Sequence, residues 1–75
     1  MGGKKSNITN KIKRVRVLNG YSQVELAELV GATRQTIIAV EAERYAPSLE
    51  LAFRIAHVLK EPIDGLFVFD PSDLD

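Results

Sequence analysis

Apolar residues recur at helical spacing in several short runs along this chain, each bounded by residues that start or stop a helix. The clearest runs lie in the middle. Ser22 suits an N-cap and Glu25, three residues on, completes a capping box, while Leu26, Ala27 and Val30 form one apolar face. Gly31 suits the position past a helix end that takes positive φ, and Thr33 offers the next N-cap. Ile37 and Val40 then repeat the apolar spacing. Two helices joined this tightly form a helix-turn-helix and cross steeply rather than lying antiparallel. Upstream, a helix is predicted from Asn10 as cap to just before Gly20, with Ile12 and Val15 facing the core and Tyr21 packing over its end. Val17 and Leu18 fall off that face. Downstream, Pro47 stops the third helix from running on, and Ser48 caps a fourth with the stripe Leu49, Ala52, Phe53, Ala56 and Leu59. Pro62 opens a short fifth helix whose Ile63 and Leu66 point inward.

The stretch Leu66, Phe67, Val68, Phe69 is apolar, β-branched or aromatic after its first residue, and ends at Asp70-Pro71, which predicts a short strand. Its partner is expected in residues 6–9, so that a small antiparallel pair joins the two ends of the chain. Two strands alone are marginal. A second subunit covering Phe67 or Phe69 accounts for aromatic side chains placed there. The fold class is therefore all-α, with five helices and a small two-stranded sheet. Residues 1–6 read as a flexible basic arm, 7–69 as one domain with the helix-turn-helix at 22–43, and 70–75 as a frayed acidic tail.

Seventy-five residues, 45% hydrophobic and 27% charged, suit one small domain, which buries only about 60% of the unfolded chain's surface. Without cysteine, folding rests on helix packing and on help from a partner subunit. The lone His57 has no companion at ligand spacing, so it reads as a solvated helix residue and no metal is expected. Nor is there a glycine-rich phosphate loop, and a domain this size leaves little room for a closed pocket. Neither enzyme activity, a cofactor nor a small-molecule ligand is expected. No apolar run approaches the roughly 20 residues of a membrane span, which points to a cytoplasmic protein without a membrane partner.

Formal net charge is zero, but the charges are segregated. Lys4, Lys5, Lys11, Lys13, Arg14 and Arg16 precede Gly20 with no acidic residue among them, and Asp64, Asp70, Asp73 and Asp75 lie near the other end. Such a chain presents a basic face to phosphate while remaining neutral as a whole. Arg34 and Gln35 sharpen the picture, because they occupy the first two positions after the Thr33 cap. A helix N-terminus favours anions. Arginine can bond both acceptors of a guanine edge, and glutamine the donor and acceptor of adenine. The placement suits a helix whose leading end enters a DNA major groove.

Three blocks, in order, carry a family likeness: Tyr-Ser-Gln-Val-Glu-Leu-Ala-Glu-Leu-Val-Gly from Tyr21, Thr-Arg-Gln-Thr-Ile from Thr33, and Tyr-Ala-Pro-Ser-Leu-Glu-Leu-Ala from Tyr45. The chain resembles the Cro/repressor-type helix-turn-helix domain, in particular its short stand-alone regulators, from about Asn10 to Phe67. The resemblance implies double-stranded DNA as partner, with Arg34 and Gln35 at base-reading positions and Ala39 placed against a thymine methyl. It implies DNA-backbone contacts from Gln23, Thr33, Thr36, Arg44 and Tyr45, with Gln23 also bracing the recognition helix. Arg16 and Glu41 match an ion pair linking the first and third helices.

Three positions depart from the family pattern. Ala42 and Glu43 replace the usual Asn-Gly, so either the turn differs or the third helix runs longer, and a negative charge stands near the DNA face. Ala46 replaces an asparagine. Ile38 stands where a small polar residue is common, either to meet thymine methyls or to pack on a neighbour. The expected function is a homodimeric transcriptional regulator on a palindromic operator, with Leu66, Phe67 and Phe69 at the dimer interface. The simplest action is repression by promoter occlusion. The competing reading is a protein-interaction module, antitoxin-like or adaptor, whose surface is Val17, Leu18, Val24 and the C-terminal aromatics.

Overall fold

The computed structural model describes residues 7–44 and 46–74. In chain order the elements are β1 (Ile8–Asn10), α1 (Ile12–Leu18), α2 (Gln23–Val30), α3 (Arg34–Glu41), α4 (Leu49–Leu59), α5 (Ile63–Leu66) and β2 (Phe67–Phe69), followed by a 3₁₀ turn over Pro71–Leu74. The capping chemistry set the central boundaries. Ser22 Oγ accepts from Glu25 N–H at 3.0 Å while the Glu25 carboxylate accepts from Ser22 N–H at 2.8 Å. Gly31 takes φ 75° at the end of α2. Thr33 and Ser48 cap α3 and α4 through their hydroxyls.

Ile12, Leu26, Val30, Ile37, Val40, Ile55, Leu59 and Leu66 form the fully buried core, with Val15, Tyr21 and Ile63 packed against it. Two expectations about this core change. Leu49 and Phe53 are exposed, and α4 buries Ala52, Ile55, Ala56 and Leu59 instead. At about 100° per residue, the latter four share one stripe, and Leu49 and Phe53 lie on its shoulder. Leu66 is wholly buried in its own chain's core, so it offers no side chain to a dimer interface.

The strands pair antiparallel as Ile8↔Phe69, Thr9↔Val68 and Asn10↔Phe67. The first strand therefore lies further along the chain than expected, and Ser6 falls outside the described residues. Asn10 ends β1 instead of capping α1 directly. Its Oδ1 still accepts from Ile12 N–H at 3.1 Å, so it sits one residue before the cap position and reaches the first helical N–H instead of the second or third. The expected frayed tail is also corrected as far as Leu74. The 3₁₀ turn there is tied back by Asn7 Nδ2 donating to Asp73 Oδ2 at 3.0 Å and Ser72 N–H donating to Asp70 Oδ1 at 3.0 Å.

Candidate nucleic-acid interface

The site grows from a buried polar cluster behind α3. Arg16 Nε and Nη2 donate to the two Glu41 carboxylate oxygens at 2.6 and 3.2 Å, and Gln23 Nε2 donates to Glu41 Oε1 at 3.1 Å. The Arg16 and Glu41 side chains are only 9% and 6% exposed, more buried than a half-exposed pair. Arg16 Nη1 also donates to the Tyr21 carbonyl at 3.0 Å, so the guanidinium is satisfied on several sides. One carboxylate thus ties α1, α2 and α3 together. Nonpolar packing slides easily, but a forked hydrogen-bonded pair is directional, so it fixes how α3 sits on the domain.

With its rear face so held, α3 turns its leading end outward. Arg34 and Gln35 are both exposed, and their side chains make no hydrogen bond or ion pair with any other described residue. Thr33 and Thr36 share a hydroxyl–hydroxyl bond of 3.0 Å beside them. Ala39 and Ile38 are half-buried further along the same helix. Arg44 is exposed just past the helix. Tyr45 lies outside the described residues. The expected base-reading residues Arg34, Gln35 and Ala39 thus share one helix, with Thr33, Thr36 and Arg44 at its ends.

The Ala42–Glu43 departure resolves into a turn of ordinary shape. Helix α3 stops at Glu41, and Glu43 takes the left-handed conformation at φ 61°. Glu43 N–H donates to Val40 O and Arg44 N–H to Ala39 O, both at 3.0 Å, which is the Schellman pattern. The left-handed region costs a non-glycine residue roughly 1–2 kcal/mol. The Glu43 carboxylate offsets part of that by accepting from Asn10 N–H at 3.0 Å. Asn10 Nδ2 in turn donates to Val40 O at 2.8 Å. This clasp between β1 and the end of α3 could not be anticipated, since residues 33 apart in sequence show no periodic relation. Arg54 is likewise unmarked by the apolar pattern. Its Nη1 donates to Val30 O at 3.1 Å, closing the end of α2, and its Nη2 meets Glu50 at 2.6 Å. The i,i+4 spacing of Glu50 and Arg54 was the available signal.

A helix pair with this turn, this buried brace and an open leading end matches a known profile. That of the helix-turn-helix family covers residues 12–66. The chain belongs to the Cro/repressor-type helix-turn-helix family of transcriptional regulators. An uncharacterized helix-turn-helix-type transcriptional regulator of Methanocaldococcus jannaschii is 42% identical over 64 residues, spanning 85% of this chain and 97% of that protein. One from Methanothermobacter thermautotrophicus is 60% identical over 52 residues, 68% of this chain and 75% of the relative. The crystal structure of a candidate DNA-binding protein from Bacteroides fragilis superposes with a TM-score of 0.73 at 27% identity, covering 80% of this chain and 97% of that one. Within the described residues of this helix-turn-helix protein, no helix is long and apolar enough to cross a membrane.

Proposed function

We propose that this helix-turn-helix regulator binds double-stranded DNA by sequence as a cytoplasmic homodimer and represses by covering promoter DNA. The observation that carries the reading is the pair Arg34 and Gln35, exposed and unengaged at the leading end of a braced helix. In this reading Arg34 and Gln35 read base edges and Ala39 meets a thymine methyl. Gln23, Thr33, Thr36, Arg44 and Tyr45 hold phosphates. Occlusion needs nothing beyond the DNA-reading face itself.

Dimerisation is supported by uncovered apolar surface. Phe69 is 54% exposed on β2, and Leu49 is 72% exposed on α4. Ile8, Leu49, Ala52, Ile63 and Phe67 line a cleft where α4, α5 and the sheet meet. A two-fold dimer on this face sets two recognition helices against half-sites one DNA turn apart, about 34 Å, and so predicts a palindromic operator.

Selection from randomised duplex, together with the solution mass of the purified protein, tests both parts. The expected result is a palindromic consensus bound by a protein of twice the chain mass. Binding without preference over random duplex at fixed salt would remove the sequence-reading claim. The competing protein-interaction reading draws on Val17 and Leu18, both largely exposed on α1. Clear operator preference decides against it.

A further inference from the structure

We propose that Lys13, on α1 and outside the helix-turn-helix proper, is an additional DNA-backbone contact beside Gln23; this rests on the DNA-binding reading. Lys13 lines one cleft with Gln23, Ile38, Glu41 and Ala42. Gln23 opens α2, while Ile38 and Ala42 lie on α3 and just past it, so the cleft runs along the side of the helix that carries Arg34 and Gln35. Lys13 is exposed, and its side chain has no hydrogen bond or ion pair with any described residue.

The cleft's own carboxylate does not answer for it. Both Glu41 oxygens are occupied, by Arg16 and by Gln23, and Glu41 is buried. The nearby Glu43 carboxylate is committed to the Asn10 amide. Arg16 and Lys13 are three residues apart on one helix, so they lie on neighbouring turns of the same side. The inner cation is consumed by the fold, and the outer one is left facing outward. An ammonium with no internal counter-charge, next to the Gln23 that the proposed function sets against a phosphate, has the chemistry of a backbone contact. Such a contact positions the protein without reading bases.

The adjoining groove, which Lys13 also lines and where Lys11 and Arg14 flank Val17 and Leu18, has a different character. Its apolar floor suits an acidic peptide better than a phosphate. That makes a peptide-binding α1 the competing outcome of the same experiment.

The test is the salt dependence of binding to the selected duplex. Wild type, Lys13→Ala, Lys13→Arg and the charge control Lys60→Asn are compared, each first checked for wild-type melting. Lys60 sits at the far end of α4 from the Ser48 cap, about 18 Å along the helix axis. Each phosphate contact contributes about 0.9 to the slope of log affinity against log salt. Lys13→Ala is expected to lower the slope by about 0.9 per bound protomer and to weaken consensus and random duplex by the same factor. Lys13→Arg should restore the wild-type slope, and Lys60→Asn should keep it. A Lys13→Ala slope equal to wild type, or a change no larger than that of Lys60→Asn, overturns the inference and leaves α1 to an acidic peptide. A wild-type protein with no affinity for any duplex would instead sink the DNA-binding reading itself, and this contact with it.

Discussion

Arg34 and Arg44 are both exposed cations of the same region, yet they have different work in the proposed complex. A base-reading arginine discriminates by forming two hydrogen bonds to one edge, about 1–3 kcal/mol for each good bidentate pair. A phosphate-holding arginine contributes equally on every sequence. Arg34→Ala is therefore expected to relax the consensus at one position per half-site in duplex selection. Arg44→Ala should weaken binding to consensus and random duplex alike, with the consensus intact. Backbone conformation is the other property decided residue by residue. Gly31 sits at φ 75°, and a Cβ added there would lie 3.0 Å from Arg54 Nη1. Gly31→Ala should lower the urea-unfolding free energy by about 1–2 kcal/mol, from left-handed strain plus displacement of the arginine from the Val30 carbonyl. Lys60 ends α4 at φ 59° without being a glycine. Lys60→Gly removes that strain, and the same measurement should show a gain of up to about 1 kcal/mol.

At the scale of elements, the joint between α2 and α3 is local in its capping and non-local in its bracing. Ser22, Glu25, Gly31 and Thr33 act on neighbours within a few residues, and each is found where its side-chain chemistry places it. The angle of α3 on the domain depends on Arg16 and Glu41, 25 residues apart. Removing one member of a buried pair strands the other, at a cost of about 3–5 kcal/mol. That is a large share of the 5–15 kcal/mol typical of whole domains. Arg16→Met is expected to lower the stability accordingly in thermal or denaturant unfolding. The double variant Arg16→Met/Glu41→Leu should lose far less, because no charge is left behind. If the double variant keeps its stability but loses operator preference, the pair's contribution is to orientation rather than to folding free energy.

Across the whole molecule, β1 and β2 bring the two ends of the described chain together, and the Asn10–Glu43 clasp joins that sheet to the end of α3. The proposed dimer face and the proposed DNA face are thus connected through hydrogen bonds as well as through the core. Phe69 lies on the open face of β2, opposite Ile8 in the sheet. Because it is exposed in a single chain, Phe69→Glu is expected to leave the melting of the monomer fold intact while placing charge in the partner contact. Sedimentation should then report the mass of one chain, and operator affinity should fall as the two half-sites are bound separately. A dimer persisting in Phe69→Glu would place the interface elsewhere.

The sequence by itself determined the helices and the borders of the central ones, because caps, left-handed stops and apolar spacing act over four residues or fewer. It also singled out Arg34 and Gln35, whose position after a cap is a local fact. Only the tertiary structure decided which apolar residues face inward on α4, where Ile55 displaces Phe53. The same holds for Glu43, which keeps a left-handed turn by bonding to Asn10. Those outcomes depend on which surfaces meet in space. Helical spacing defines a face of a helix but not the neighbour it meets, and a hydrogen bond across 33 residues exists only once the core has brought its two ends together.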